Sequence, residues 1–138
     1  MNPIGRTVLG VFGLWHGLAA IQNIFDILAS TGIEPRLRPL ASKNLALIGK
    51  LAEPLRPPKS SIVVLLAGAS VVEAAASASF LYGAIEGDRS EFGFSLSLGL
   101  FGAFFLIDDA FDDYDLGAKH RAIFTLVAAG YAATRASA

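Results

Sequence analysis

Residues 61–85 read SIVVLLAGASVVEAAASASFLYGAI, and this stretch decides the fold. A helix needs about 20 residues to cross a hydrocarbon core of about 30 Å, so the stretch is long enough to span a membrane as one helix. Its one charged residue, Glu73, lies at the midpoint. An acidic residue there costs about 3 kcal/mol, and the ten Leu, Ile, Val and Phe residues of the stretch contribute about 3 to 6 kcal/mol in the opposite direction. The stretch is therefore predicted to insert into a membrane in spite of its carboxylate.

The composition of the whole chain indicates a helical membrane protein. Hydrophobic residues make up 54% of the 138 positions and charged residues 17%, which is more apolar surface than one small soluble core can bury. The charges lie in clusters between long apolar runs, a pattern typical of a chain that crosses the membrane several times. A net charge of -1 provides no basic surface for nucleic acid. The absence of cysteine excludes disulfides, thiolate catalysis and iron–sulfur clusters.

The predicted fold is an all-α bundle of four transmembrane helices in a single membrane domain, residues 1–138. The predicted spans are residues 5–29, 61–85, 92–110 and 119–136. The last two are short, and each reaches a full span only by including charged residues at its end, such as Asp108 and Arg121. The alternative is three spans followed by a helix that lies on the membrane surface.

A basic segment, residues 32–60, joins the first two spans. Its prolines leave room for a helix only from about Leu40 to Glu53. Apolar residues recur there at helical spacing, which predicts an amphipathic helix at the membrane interface; they are Leu40, Leu47, Ile48 and Leu51. Short basic segments stay in the cytoplasm, so we predict a multi-pass protein of the cytoplasmic membrane with both termini outside.

Small residues recur at helical contact spacing in three of the predicted spans. They are Gly13 and Gly17 in the first, Ser70, Ala74 and Ala78 in the second, and Ser95, Gly99 and Ala103 in the third. In lipid, small residues let helices approach closely and pack. These positions therefore predict either a compact bundle or, where such a face is left over, association with another helix.

A predicted intramembrane polar site comprises Glu73, His16, Gln22, Asn23 and Asp26. On a helical wheel the four residues of the first span fall, together with Trp15, within an arc of about 120°, so this face should look into protein or water. His16 lies at about the depth of Glu73, and we expect the two side chains to meet. Three interpretations are open: a hydrogen-bonded carboxyl group that fixes helix register, a group that handles protons or cations, and a contact to a lipid or small molecule.

Residues 108–115 read DDAFDDYD and form a second cluster. Asp112, Asp115 and His120 are the candidate ligands of a metal ion, and oxygen ligands favour Mg or Ca. The string Asp108-Asp109-x-x-Asp112 resembles the first Asp-rich motif of prenyl-diphosphate enzymes, where carboxylates hold diphosphate through Mg; this resemblance covers five residues. The simpler interpretation is a solvated turn whose charges pair with basic residues such as Lys119 and Arg121. In that turn Asp113 and Asp115 suit the start of the fourth helix.

These observations predict a non-catalytic accessory or interaction subunit of a larger membrane complex, or a homo-oligomer. The predicted partners are the lipid bilayer and other membrane subunits or a second copy of the chain, with no nucleic acid. The first alternative is an oligomeric proton or cation transporter or channel that uses Glu73 and His16. The second is a metal-dependent lipid-modifying enzyme with its centre at residues 108–115. No cofactor is identified, because the sequence has no haem, iron–sulfur or nucleotide signature, and we expect its two histidines at different depths.

Overall fold

The computed structural model of the chain describes residues 1–111 and 113–136, and the only regular secondary structure within these residues is helix, with no strand. The α-helices are α1 (Pro3–Ser30), α2 (Asn44–Leu51), α3 (Lys59–Glu86), α4 (Glu91–Ala110) and α5 (Tyr114–Ala136). Two short 3-10 helices, Pro35–Leu40 and Glu53–Leu55, flank α2.

Three helices of the described chain, α1, α3 and α4, are long and apolar enough to cross a membrane. They cover the first three predicted spans and extend each of them by one to three residues. A helix is also present at the predicted fourth span, but α5 is not among the three. Its first two turns carry Asp115, Lys119 and Arg121, which leave a short charge-free run before Arg135. The fourth transmembrane span and its alternative, a helix on the membrane surface, both stay predictions.

The chain divides into two compact units. The first unit comprises residues Met1–Gly17 and Val72–Ala138, and the second comprises Leu18–Val71. Helices α1 and α3 each contribute one half to each unit. The single membrane domain stays a prediction.

The core of the first unit is aromatic. Its buried apolar residues are Leu9, Phe12, Ala76, Phe80, Phe94, Phe101 and Val127. Phe80 stacks on Phe12, with ring centroids 5.6 Å apart, and meets Phe94 edge to face at 4.9 Å. Such aromatic pairs add about 0.5 to 1.5 kcal/mol beyond the area they bury.

Gly13 and Gly17 bring α1 close to α3 in the first unit. A Cβ atom on Gly13 would lie 2.7 Å from the side chain of Leu81, and one on Gly17 would lie 2.9 Å from Oγ of Ser77. The Ser77 hydroxyl donates a hydrogen bond of 2.7 Å to the Gly13 carbonyl. The prediction that these two glycines permit close helix packing is confirmed.

Most of the other predicted small residues face outward. Ser70 is buried, but the remaining five are exposed: Ala74, Ala78, Ser95, Gly99 and Ala103. A Cβ atom on Gly99 would meet nothing within 4 Å. We call the exposed residues Ser95, Gly99 and Ala103 the small face of α4.

In the second unit, the helix of the basic segment is shorter than predicted. It begins at Asn44 rather than near Leu40, because Ala41 adopts an extended backbone and Ser42 turns to donate its N–H to the carbonyl of Gln22. Leu40 is 60% exposed, whereas Leu45, which the sequence did not single out, is buried. The two ends of the segment are joined by Lys59, whose Nζ donates a 2.9 Å hydrogen bond to the Ser30 carbonyl.

Candidate functional site

A row of three buried side chains runs along one face of α4 in the first unit. Ser97, Phe101 and Asp108 are four and seven residues apart, so they share a face of the helix. All three are buried, Ser97 completely. We call them the α4 row.

His16 meets the first member of the row. Its Nε2 atom lies 2.5 Å from Oγ of Ser97, and the imidazole is 1% exposed. The imidazole also packs against the rings of Trp15, Phe80 and Phe101, with centroids 5.0, 5.7 and 5.9 Å away. The tautomer of His16 decides which partner donates, because both a hydroxyl and a neutral imidazole can give or accept a proton. The pair joins α1 to α4 by a polar bond inside an aromatic shell.

His120 meets the last member of the row. Its Nδ1 atom lies 2.5 Å from Oδ2 of Asp108, which is 3% exposed at its side chain. A carboxylate in the last turn of α4 opposes the helix dipole, and the contact with the His120 ring gives this carboxylate a polar partner. The neighbouring Asp109 receives two hydrogen bonds from Arg121, at 2.9 and 3.0 Å. The prediction that carboxylates of this cluster pair with nearby basic residues is confirmed for Asp109 and Arg121.

Both histidines contact the same ring. The Phe101 centroid lies 5.9 Å from that of His16 and 6.2 Å from that of His120. The sequence predicted two histidines at different depths, and Phe101 lies between them. The first unit therefore contains two polar pairs, His16–Ser97 and His120–Asp108, on either side of Phe101.

Glu73 belongs to the same unit and is buried, with 6% of its surface exposed. Its burial was predicted from its place in the apolar run. Its contact with His16 stays a prediction, since Ser97 is the hydrogen-bond partner described for that imidazole.

The remaining predicted polar residues lie in the second unit. The Asp26 carboxylate is 1% exposed and accepts hydrogen bonds from the described groups Arg38 Nη1 at 3.1 Å, Leu45 N at 2.8 Å, Ser30 Oγ at 3.1 Å and Ser42 Oγ at 3.3 Å. Asn23 Oδ1 accepts hydrogen bonds from Ser42 Oγ at 2.8 Å and Asn44 Nδ2 at 2.7 Å. We call the side chains of Asp26 and Asn23, with these partners, the Asp26 network.

Gln22 differs in burial from the other predicted polar residues. Its side chain is exposed, while Asn23 and Asp26 are buried. At about 100° per residue, Gln22 lies about 40° to one side of Asp26 and Asn23 about 60° to the other, so Gln22 is at the exposed edge of the predicted arc. The five predicted residues thus fall into a buried His16 and Glu73 in one unit, a buried Asn23 and Asp26 in the other, and an exposed Gln22.

The predicted metal ligands are only partly described. Asp112 lies outside the described residues, Asp115 is exposed and His120 pairs with Asp108. Among the described residues, no group of three or more His, Asp or Glu side chains is arranged to hold a metal ion. Asp113 instead caps α5, since its Oδ1 accepts a 3.1 Å hydrogen bond from the Leu116 N–H, as its position before the helix predicted.

The sequence did not single out Ser97 or Phe101. The available signal was the seven-residue spacing of Phe94, Phe101 and Asp108, which marks one buried stripe on α4. No family model, curated protein or solved structure matches the chain.

Proposed function

We propose that this protein is an integral membrane protein that acts by packing against other membrane helices, as an accessory subunit or a homo-oligomer. In this proposal α1, α3, α4 and α5 cross the cytoplasmic membrane and α2 lies at its inner surface. The small face of α4 is the observation that carries the proposal.

The exposed apolar side chains support a membrane location. A soluble monomer rarely exposes large contiguous apolar patches, whereas the three long apolar helices leave many large side chains on the outside. They include Leu14, Leu18, Val64, Leu65, Val71, Phe92 and Leu106. In lipid these side chains are in an apolar solvent and need no covering.

The small face of α4 supports association with a further helix. Inside the first unit, Gly13 and Gly17 already show how small residues are used, because another side chain fills the space over each of them. Nothing within the described chain fills the space over Gly99. A second transmembrane helix could approach there as closely as α3 approaches α1.

Gly99→Leu is expected to reduce the mass of the complex extracted from native membranes in mild detergent, because the leucine blocks close helix approach. Gly68→Leu is the matched control: Gly68 is also an exposed helical glycine with nothing within 4 Å of a Cβ atom. The mass is read by light scattering or native mass spectrometry. A wild-type protein with the mass of one chain would contradict the proposal, as would equal losses in both variants.

A second candidate function, proton or cation handling, is favoured by the α4 row. Ionisable groups inside a membrane are costly and often mark ion pathways. Glu73, His16 and the His120–Asp108 pair all lie in the first unit, and imidazole and hydroxyl groups can both accept and release protons. In this candidate function, Phe101 lies between the His16–Ser97 pair and the His120–Asp108 pair.

Glu73→Gln is expected to abolish proton or cation flux in liposomes while preserving the fold, because glutamine keeps the shape but cannot ionise. Glu86→Gln, on the exposed end of the same helix, should leave flux unchanged. Helix content by circular dichroism verifies that both variants fold. Undiminished flux in Glu73→Gln, or a wild type no more permeable than empty liposomes, would rule this candidate out.

A further inference from the structure

The positive charge of the chain is concentrated in the basic segment. Residues 32–60 contain six Lys or Arg residues against two Glu, whereas the rest of the chain contains five Lys or Arg against ten Asp or Glu. The basic segment therefore carries a net charge of +4 within a chain whose net charge is -1. An anionic partner would be attracted to this segment and not to the rest of the chain.

Most cations of the basic segment have no partner within the chain. Two of the six do: Arg38 pairs with Asp26, and Lys59 donates to the Ser30 carbonyl. The other four are exposed, and their side chains make no ion pair or hydrogen bond with the described residues. They are Arg36, Lys43, Lys50 and Arg56. These four charges are available to a ligand outside the chain.

Helix α2 turns two of the available charges outward. Lys43 at its N-cap and Lys50 in its last turn are seven residues apart, so they lie on one side of the helix, which we call the lysine face. The opposite side is occupied by the chain itself. Leu45 is buried there, and a Cβ atom on Gly49 would lie 3.7 Å from the side chain of Ile62 in α3. The helix is thus held by its apolar side and presents its lysines to the surroundings.

The position of the basic segment favours a lipid surface over other anionic partners. The segment connects α1 to α3, two of the helices that are long and apolar enough to cross a membrane, so in the proposed location it lies at the level of the headgroups. Ile33, Leu40 and Leu55 lie among its charges, each at least 60% exposed. Available cations combined with exposed aliphatic side chains are typical of a segment that binds an anionic membrane surface. An acidic peptide or a nucleic acid would be bound by the charges alone.

We infer that the basic segment binds the headgroups of anionic phospholipids, with the lysine face of α2 against their phosphate groups. The inference rests on the proposed membrane location but not on the proposed association with other helices. It gives α2 a ligand of stated chemistry and makes the fraction of anionic lipid in the bilayer decide what covers this helix.

Native mass spectrometry of the full chain, released from bilayers of phosphatidylglycerol and phosphatidylcholine, counts the lipids of each kind that stay bound. The wild type is expected to retain phosphatidylglycerol in preference. Each Lys or Arg close to an anionic surface strengthens binding about fivefold, so Lys43→Gln/Lys50→Gln should lower the preference about 25-fold. Arg89→Gln/Lys119→Gln removes the same charge from the first unit and should keep the preference.

A fluorophore on α2 locates the bound lipid. The chain has no cysteine, so Ala46→Cys provides a single labelling site. Ala46 is exposed and lies within about 60° of both lysines around the helix. In vesicles the label is expected to become less accessible to the neutral quencher acrylamide as the fraction of phosphatidylglycerol rises. This protection should be lost in high salt and in the Lys43→Gln/Lys50→Gln variant.

Each of three results would overturn the inference: equal lipid preference in the wild type and the lysine variant, a label equally accessible at every phosphatidylglycerol fraction, or equal protection by polyglutamate in pure phosphatidylcholine vesicles. The last result would identify an acidic protein partner instead. The membrane location is tested separately by an alkaline carbonate wash of phosphatidylcholine vesicles. A chain that leaves the vesicles would refute the membrane location, whereas a chain that stays but shows no preference for phosphatidylglycerol would refute the lipid inference alone.

Discussion

Asp26→Asn is expected to release residues 35–51 from the end of α1. The carboxylate is 1% exposed and accepts hydrogen bonds from Arg38 in the 3-10 helix, from Ser42 and from the Leu45 N–H at the start of α2. Asparagine removes the negative charge and, in one orientation, turns an N–H toward the Leu45 N–H. Hydrogen bonds to a charged group contribute about 1.5 to 3 kcal/mol each, so losing the carboxylate, with the buried Leu45 N–H left unpaired, costs about 3 kcal/mol.

Limited trypsin digestion measures this release, because Lys43 and Lys50 are exposed cleavage sites within the segment. A loss of about 3 kcal/mol corresponds to cleavage about 100-fold faster when cleavage proceeds through local opening. Arg38→Gln is the control. The Arg38 side chain is 54% exposed, and solvent-exposed pairs contribute about 1 kcal/mol or less. Equal cleavage rates in the two variants would mean that the carboxylate does not hold the segment.

Phe80→Ala is expected to cause the largest loss of stability in the first unit. Phe80 is fully buried and contacts the rings of Phe12, His16 and Phe94. In a soluble core such a truncation costs about 3 to 5 kcal/mol. If the unfolded helices stay in lipid, the side chain is not transferred from water on folding, and the variant loses only the packing contribution. We therefore expect a destabilisation of about 2 kcal/mol.

Unfolding of the detergent-reconstituted protein by SDS measures the difference, with Trp15 fluorescence as the signal. Tyr82→Ala is the matched control, since Tyr82 lies two residues further along the same helix and is 63% exposed. Its midpoint should stay close to that of the wild type. Equal shifts for both variants would refute the assignment of Phe80 to the core, and a loss of 3 to 5 kcal/mol would indicate an unfolded state exposed to water.

The long helices were predictable because each long apolar run determines its own helix. The burial of Glu73 and His16 and the close approach at Gly13 and Gly17 followed from local patterns of the same kind. The division into two units and the short α2 did not follow from such local patterns. Apolar spacing alone favoured Leu40, but the backbone breaks at Ala41 to bring Ser42 to Asp26, and Leu45 becomes the buried residue.

The pairs of the α4 row were harder to predict than the helices. Asp108 and His120 are twelve residues apart on different helices, so their contact depends on how α4 and α5 pack. His16 and Ser97 are separated by 81 positions, so only the packing of α1 against α4 brings them together. A helical wheel orders residues around one helix and contains no information about the register of its neighbour.

The hydrogen bond between Lys59 and Ser30 closes the basic segment at its base. The ends of the segment are already held together by this bond. Lengthening the segment at its exposed turn near Arg56 would therefore raise the free-energy cost of loop closure only slightly, by about 0.6 kcal/mol for each doubling of the loop length. This turn lies outside the Asp26 network. It is the natural position for inserting a tag or a reporter domain while the long helices keep their packing.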